Sequence, residues 1–432
     1  MSERLDWVRG DSLGLELPAH PGALRSAGVT FLTKAFRAFG AMSPDNEVVA
    51  ISAIEDCAGG STGRKLRLSL RYARAEPGLH EHLFVKFSRD FDDEHRDRGR
   101  TQMQAEIRFA GLSALSAFPI AVPTCLYADY HAASGTGLLI SQCIDFGREG
   151  VEPHRGKCLD EALSRPEDYY AAILESLSAL AGAHRSGRFP AKEWRFDPGT
   201  QVVGERAPYD AEQVRRRVGR YADFASRYPQ LLPENLRAPS FVARLSDEAP
   251  RFPAHADLIA RTLADWPDAI ALSHWNANLD NAWFWREPDG RLRCGLLDWG
   301  CAGQMNLAMA IWGALSGADL RVWNGHLDAL LRGFVLAYSR CGGPLLDVPR
   351  LRLHLLIHAA QMGLNWLLDV PSWLQKNVTG LGTVSDRFDP RIRDDEAART
   401  QLHMLCVFLN LWDRHDIGDA LARLAHELGA VE

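Results

Sequence analysis

The residues best suited to chemistry lie together at positions 274–300, in the sequence HWNANLDNAWFWREPDGRLRCGLLDWG. A histidine, three asparagines and an aspartate precede a hairpin whose turn is REPDG, and Asp298 follows the hairpin in an Asp-Trp-Gly turn. Imidazole, amide and carboxylate groups can bind cations and orient polar substrates. Asp298 alone is equally consistent with an ordinary turn after a strand, so the interpretation depends on its pairing with Asn281 across the hairpin.

A glycine-rich turn, AGGSTG at residues 58–63, is a second candidate site. Glycines let backbone N–H groups approach an anion without a Cβ in the way, so the turn could cradle phosphates. It lacks the Gly-Lys-Ser/Thr ending of a P-loop, and the pattern after it is that of a strand. A plain hairpin turn therefore stays open as the alternative. The candidate positions in the turn are Gly59, Gly60, Ser61 and Gly63.

Lys86 stands inside an apolar strand, LFVKF, where period-two alternation puts it on the same face as Phe84 and Ser88. Such a lysine either points to solvent or holds an anion beneath the sheet. Glu106, 20 residues later, lies in a predicted helix beside the apolar Ile107. The glutamate is therefore either solvated or an ion-pair partner of Lys86.

The predicted elements that position these residues are mainly strands up to residue 144 and mainly helices after residue 166. Alternation and glycine-bounded apolar runs predict an opening helix at 22–40, strands at 47–54, 66–72, 82–87, 122–130 and 137–144, and a helix at 101–115. The charged run at 90–100, DFDDEHRDRGR, is predicted to be a solvated connector. After residue 166 helical periodicity dominates, with one helix predicted at 304–315.

We therefore predict an α+β chain with a small antiparallel sheet followed by a larger, mainly helical region. A length of 432 residues suits two domains, each with its own core. Their predicted ranges are 1–144 and 145–432.

Composition excludes several classes of protein. The net charge of −6 is spread along the chain without a basic stripe, which argues against nucleic-acid binding. No apolar run approaches the ~18 residues that a membrane helix needs, and the charged N-terminus is unlike a signal peptide. The eight cysteines lie far apart without a C-x-x-C pair, as reduced thiols do. A cytoplasmic protein is expected.

Taken together, the glycine turn, the strand lysine, the helix glutamate, His-x-Asn-x-x-x-x-Asn and Asp-Trp-Gly resemble one family. It is the aminoglycoside phosphotransferase, choline kinase and ecdysteroid-kinase-like group of small-molecule kinases, which share the protein-kinase fold. The resemblance implies a bilobal fold whose N-terminal lobe binds ATP and ends in a hinge. It also implies Mg²⁺ as a cofactor and a small hydroxylated molecule as the acceptor.

The resemblance assigns roles residue by residue. Asp298 and Asn281 would ligate Mg²⁺, a hard cation that prefers oxygen ligands. Lys86 would hold the α- and β-phosphates and Glu106 would orient Lys86, while the glycine turn would cover the phosphates. Adenine would stack and bond against the hinge at residues 141–144, which includes Ser141 and Cys143. His274 would be mainly structural within the catalytic loop.

The chain departs from the family at one decisive position. Where the family has a catalytic aspartate, this sequence has Asn276, and where it usually has glycine, Trp275. An amide oxygen can accept a hydrogen bond from a substrate hydroxyl, but it cannot take the proton. General-base catalysis contributes about 10²–10⁴-fold in rate, so the expected loss is severe but not total.

Three interpretations follow from Asn276. The protein is a kinase for a nucleophile that needs little help, or a pseudokinase that binds a nucleotide or metabolite, or a kinase in which Asp280 or an acidic residue elsewhere replaces the base. The retention of both metal ligands favours an enzyme.

The acceptor pocket is predicted from Trp275 and from a polar stripe on the helix at 348–368. The stripe residues recur at helical spacing, and a solvent-facing stripe is the alternative. Its members are His354, His358, Gln361 and Asn365, with Trp366 beside them.

Overall fold

The computed structural model describes residues 5–57, 59–60, 62–115, 117–189, 196 and 209–427. The chain divides into two compact units. The first, here called the sheet unit, comprises Met1–Glu152, Phe189–Asp197 and Gly295–Ala302. The second, the helical unit, comprises Pro153–Arg188, Pro198–Cys294 and Gly303–Glu432.

The sheet unit contains helices and short strands around one five-stranded sheet. Its elements are β1 Trp7–Arg9, β2 Glu16–Pro18, α1 Pro21–Phe39, β3 Val48–Asp56, β4 Arg64–Tyr72, β5 His82–Phe87, α2 Glu94–Arg98, α3 Met103–Ser113, β6 Cys125–His131 and β7 Thr136–Gln142.

The five-stranded sheet is antiparallel throughout, in the order β3-β4-β5-β7-β6. Alternation decides its two faces, because successive side chains of a strand point in opposite directions. Leu83, Val85 and Phe87 of β5 are buried in a cluster with residues of α1. On the other side of the sheet α3 packs through Ile107 against residues of β6 and β7. The strands predicted from the sequence are confirmed, with ends shifted by a few residues.

The charged segment at 90–100 is only in part the solvated connector that the sequence predicts. Residues Glu94–Arg98 form α2, whose first turn is capped by Asp93. Arg89 and Asp97 form a buried ion pair, with Arg89 Nε 2.7 Å from Asp97 Oδ1. Asp97 is thus buried with its partner, whereas the side chains of Asp92, Glu94 and Arg98 stay exposed to solvent.

The helical unit is built mainly from helices packed on a long apolar core. Its elements are α4 Pro166–Arg185, α5 Ala211–Arg227, α6 Glu234–Arg237, α7 Pro239–Glu248, α8 Ala256–Ala264, β8 Ile270–His274, β9 Ala282–Arg286, β10 Leu292–Leu296, β11 Ala302–Asn306, α9 Leu307–Leu315, α10 Leu320–Arg340, α11 Val348–Asn365, α12 Val370–Asn377, α13 Pro390–Arg393, α14 Glu396–Arg414 and α15 Ile417–Glu427. Strand β10 carries the chain from this unit into the sheet unit, and β11 carries it back.

One predicted helix, at 304–315, is wrong in its first turn. Residues Ala302–Asn306 form β11, which pairs with β8, and α9 begins only at Leu307. Asn306 ends the strand because its side chain accepts from Ala308 N and so caps α9. The same side chain donates to Leu263 O and His354 Nδ1 in the core.

The predicted α+β class, with a small antiparallel sheet and a largely helical region, is confirmed. No disulfide bond links any of the eight cysteines, all of which lie among the described residues. Among those residues no helix is both long and apolar enough to cross a membrane.

Candidate active site

Lys86 lies at the centre of a charge cluster in the sheet unit. Its Nζ is 2.7 Å from Glu106 Oε1 and 2.6 Å from Asp298 Oδ1. The Lys86 and Glu106 side chains are only 12% and 9% exposed, whereas that of Asp298 is 47% exposed. Burial alone would lower the pKa of Lys86, but the two carboxylates outweigh it and raise that pKa above its usual range. The ammonium group is therefore held charged between one buried and one accessible acid.

Helix α3 positions both acids of this cluster. Glu106 belongs to α3 itself, and burial raises its pKa while Lys86 opposes that shift. Three residues later, on the neighbouring turn of the helix, Phe109 stacks on Trp299, with ring centroids 3.5 Å apart and planes 10° apart. Trp299 follows Asp298, whose backbone adopts a left-handed conformation with φ 58°. The stack therefore anchors the Asp-Trp-Gly turn to the helix that carries Glu106.

The glycine turn is confined by the residues around it. Gly59, Gly60 and Gly63 all have positive φ, and a Cβ at Gly63 would lie 1.8 Å from Phe87 O. Arg96 of α2 donates to Gly63 O from Nε at 3.0 Å and from Nη2 at 2.7 Å, and its Nη2 also donates to Gly59 O. Arg96, from the charged segment at 90–100, thus fixes the backbone of the glycine turn by hydrogen bonds. Ser61 lies outside the described residues.

Lys65 is a second lysine in this region, and sequence reasoning missed it. It lies opposite Lys86 in the β4–β5 ladder, and a Cβ added to Gly60 would be 1.7 Å from Lys65 Nζ. Burial, and then the charge of Lys86, lowers the pKa of Lys65. It makes no ion pair within the part of the chain that the structure describes. The signal was available in the alternation of RKLRLSLR, which puts Lys65 on the face away from the buried leucines.

Some backbone groups of the predicted hinge already form hydrogen bonds within the sheet. Ser141 pairs with Phe84 at the end of β7, and Cys143 N donates to His82 O at 3.0 Å. Gln142 N likewise donates to Thr124 O. At Gln142 and Cys143 an adenine base could therefore bond only to backbone acceptors, because both N–H groups are used in the sheet.

The loop after β8, in the helical unit, holds the predicted catalytic positions. His274 is fully buried, and its Nδ1 accepts from Asn276 N at 3.3 Å, which fits the structural role predicted for it. Asn281 Nδ2 donates to Asn276 O at 2.8 Å. With its nitrogen anchored in this way, the amide of Asn281 is oriented to offer Oδ1 as an oxygen ligand.

The side chain of Asn276 is hydrogen-bonded to that of Asn278, two residues later. Asn278 Nδ2 donates to Asn276 Oδ1 at 2.6 Å, and Asn278 Oδ1 accepts from Ser316 Oγ at 3.5 Å. Asn278 is 3% exposed, whereas Asn276 is half-buried. The amide oxygen that the sequence analysis assigned to a substrate hydroxyl thus already accepts one hydrogen bond from the protein.

The pKa of Asp280 is affected by burial and by neighbouring charged residues. Burial raises its pKa, and Lys157 opposes that shift while Glu396 adds to it. Its Oδ1 is buried and has no hydrogen-bond partner among the described residues. Within those residues it makes no hydrogen bond to Asn276 either, so its predicted role as a replacement base stays a prediction.

Trp275 and the polar stripe lie in the helical unit. The Trp275 side chain packs against a cluster of Met305, Met309 and Ala310. A Cβ at Gly313 of α9 would lie 1.4 Å from Trp275 O, so only glycine allows this contact. The stripe on α11 does not face solvent: its histidines and Asn365 are buried. The solvent-facing alternative is wrong for those three residues.

Asp298, in the sheet unit, and Asn281, in the helical unit, each carry a side-chain oxygen of the kind that Mg²⁺ prefers. Among the described residues no group of three or more His, Cys, Asp or Glu side chains could hold a metal ion. Mg²⁺ is commonly held by one or two protein oxygens together with substrate phosphates and water, so it needs no larger protein cage. The accessible carboxylate of Asp298 and the oriented amide of Asn281 have the required chemistry.

No protein-family model and no curated protein matches the chain. Several solved structures resemble it. An ethanolamine kinase from Plasmodium vivax is 13% identical, with 84% of this chain and 83% of that chain covered and a TM-score of 0.41. A choline kinase from Cryptosporidium parvum is 11% identical, with 85% and 91% covered and a TM-score of 0.39. The GDP complex of aminoglycoside 2'-phosphotransferase-IIIa is 14% identical, with 85% and 94% covered and a TM-score of 0.38. These structures come from the groups of small-molecule kinases that the sequence motifs resemble.

Proposed function

We propose that the protein is a phosphotransferase that uses ATP and Mg²⁺ to phosphorylate an oxygen of a small molecule, which the sequence resemblance makes a hydroxyl. The observation that carries the proposal is the sharing of the Lys86 ammonium between Glu106 and Asp298. A lysine held charged under a glycine turn is suited to bind nucleotide phosphates, and phosphoryl transfer depends mostly on positioning and on neutralisation of charge.

Each residue has a part in this proposal. Lys86 binds the α- and β-phosphates, Lys65 adds a second positive charge, and Glu106 keeps Lys86 in place. Asp298 and Asn281 would hold Mg²⁺, which when bound neutralises charge on the transferring phosphate. The backbone of the glycine turn, braced by Arg96, covers the phosphates.

A nucleotide-binding module without turnover is the second candidate, and Asn276 is the observation that favours it. An amide cannot remove a proton from a hydroxyl, so a chain with Asn276 could keep nucleotide binding after losing catalysis.

Thermal unfolding with ATP plus Mg²⁺ tests nucleotide binding in both candidates. A ligand present at a hundred times its dissociation constant stabilises the folded state by about 2.7 kcal/mol, so Tm should rise in the parent protein. Asp298→Ala should lose the Mg²⁺-dependent part of the rise. Asp92→Ala, which removes an exposed carboxylate of the same unit, should keep it. A parent protein without a Mg²⁺-dependent shift would reject both candidates.

ATP consumption then separates an enzyme from a binding module. Turnover of ATP with any member of a metabolite library by the parent protein supports an enzyme. Activity that appears only in Asn276→Asp indicates a chain that binds nucleotide but has lost catalysis.

A further inference from the structure

A groove of about 360 Å³ lies on the surface of the helical unit, between α4 and α10. Its floor is apolar and includes Ala171, Leu174 and Leu330. Glu175 and Arg291, which form an ion pair, flank this floor. A groove between two helices can accept the side-chain ridge of a third helix.

Helices α4 and α10 run parallel to one another along this groove. Ser178 Oγ donates to Phe334 O, 156 residues later, at 3.1 Å. A Cβ at Gly182 would lie 2.9 Å from Tyr338 O, one helical turn further along both helices. The two helices therefore keep one register, in which each residue of α4 lies beside the residue of α10 that follows it by 156 positions.

The two ends of the groove carry opposite charges. By this register Glu167 and Asp168 lie level with residues 323 and 324, near the beginning of α10. Arg340 lines the groove from the last turn of α10. Both carboxylates contact the exposed Arg165, and each keeps further acceptor sites for a second guanidinium. The groove is thus acidic at one end and basic at the other.

One exposed face of α10 lies beside the groove. Its members recur at helical spacing and are Ala329, Gly333, Leu336 and Arg340, all of them exposed. The side chain of Leu336 is apolar although the residue is 58% exposed. A Cβ added to Gly333 would meet nothing within 4 Å, so another helix can approach closely there. The face therefore offers an apolar side chain for burial and a point of close contact.

We propose that this groove is the interface of a homodimer, in which α10 of a second copy lies antiparallel to α10 of the first. A two-fold axis at Gly333 brings the helices together where neither has a side chain. Leu336 of each copy then lies opposite Leu330 of the other, over the apolar floor. Arg340 of each copy lies within about 3 Å, along the helix axis, of the level of Asp168 in the other.

A second copy suits this surface because the surface is self-complementary. The same chain supplies the leucine and the floor that covers it, and the arginine and the acids that it meets. A two-fold interface requires this reciprocity, since each contact occurs twice. An interface limited to these helices belongs to the small class, below about 1,200 Å², so we expect a weak dimer with a dissociation constant of about 10–100 µM.

Sedimentation velocity of the full chain across that concentration range tests the proposal. The parent protein should show a reversible equilibrium between monomer and dimer. Leu336→Ser should weaken the dimer about tenfold or more, because both copies lose a buried leucine. Leu345→Ser, which removes another exposed leucine of the helical unit, outside the groove, should leave the equilibrium unchanged. A monomeric parent, or equal effects of the two variants, overturns the proposal.

An exchange of charges tests the antiparallel arrangement. Arg340→Glu should weaken the dimer about tenfold, because it places a carboxylate at the acidic end of the other copy. Asp168→Arg should weaken it similarly. The double variant should recover most of the parent affinity, since opposite charges then face each other again. Thermal unfolding verifies that each variant is folded. Losses that simply add in the double variant would overturn this arrangement.

A cysteine at the axis gives a covalent readout of the same contact. Gly333→Cys places a thiol on the proposed two-fold axis, where two copies can form a disulfide. Mild oxidation should therefore yield more covalent dimer than in the parent, which has its eight natural cysteines. Gly219→Cys, at an equally open position on α5, should behave like the parent. Equal yields of covalent dimer from the two variants would contradict an axis at Gly333.

Discussion

Removal of the Lys86 ammonium would leave two carboxylates without their shared counter-charge. We expect Lys86→Met to destabilise the fold by about 2 kcal/mol, because Glu106 is buried and would lose its hydrogen-bond partner. The Tm response to Mg·ATP should also disappear. Urea unfolding and thermal shift measure the two effects.

Lys34→Met is the matched control, since Lys34 is an exposed lysine on α1 of the same unit. It should change neither stability nor nucleotide response by a measurable amount. If Lys86→Met still bound Mg·ATP as the parent does, Lys86 would not be a phosphate ligand.

At the scale of elements, α3 connects the lysine's buried partner to the Asp-Trp-Gly turn. Phe109→Leu should weaken the stack on Trp299 while Glu106 stays in place. We expect a loss of about 1–2 kcal/mol in stability, as for other imperfect core replacements, and about tenfold weaker Mg·ATP binding.

Phe224→Leu serves as the control for that substitution, because Phe224 is equally buried but belongs to α5 of the helical unit. It should lower stability to a similar extent and leave Mg·ATP affinity intact. Equal losses of affinity in both variants would mean that general destabilisation, and not the turn, is responsible.

Helix α9 and the loop after β8 are in contact at Gly313. Alanine normally stabilises a helix by about 1 kcal/mol relative to glycine. At Gly313 the added Cβ would collide with Trp275 O, so Gly313→Ala should destabilise the protein and abolish turnover. Gly219→Ala in α5, where a Cβ meets nothing within 4 Å, should instead stabilise it. Urea unfolding gives opposite signs if the contact is as described.

The elements differ in how well the sequence predicted them. Strand β5 and helix α3 were predictable because their apolar residues repeat with the periods of strand and helix. The helix within the segment at 90–100 was not, because Asp97 is buried by pairing with Arg89, and local pattern contains no information about pairing. The predicted helix at 304–315 began too early, because the sequence does not show that the side chain of Asn306 accepts from Ala308 N and caps α9.

At the scale of the whole molecule, the path of the chain limits what sequence can predict. Residues Gly295–Ala302 belong to the sheet unit although the segments on both sides belong to the helical unit. The motif predicts Asp298 as a candidate site residue, but its ion pair with Lys86, 212 residues earlier, required the structure. The hydrogen bond between the side chains of Asn276 and Asn278 was equally hidden. The domain boundary at residue 144 stays a prediction.

The two buried histidines of α11 should lower the stability of the protein in mild acid. Burial lowers the pKa of His354 to about 4 and that of His358 to about 3. The unfolded chain therefore binds protons below about pH 6.5 that the folded chain rejects, so the free energy of unfolding decreases as pH falls from about 6.5 to 4. His354 alone should cost about 2 kcal/mol between pH 7 and pH 5.

His354→Gln tests the assignment, because a glutamine can still accept from Asn306 Nδ2 but does not titrate. Urea unfolding at pH 7 and pH 5 should show a smaller acid loss in this variant than in the parent. Equal losses would show that other groups cause the pH dependence.

The pairing of Lys86 with Asp298 also has a thermodynamic consequence for the order in which ligands bind. While the lysine occupies Asp298, a divalent cation alone must compete with an internal positive charge, so its affinity for the free protein should be poor. In the proposed function, nucleotide phosphates would draw Lys86 towards themselves and release the carboxylate of Asp298. Linkage then requires that the cation strengthen nucleotide binding by the same factor. Under the proposed function, cation and nucleotide should therefore each bind more weakly alone than in the presence of the other.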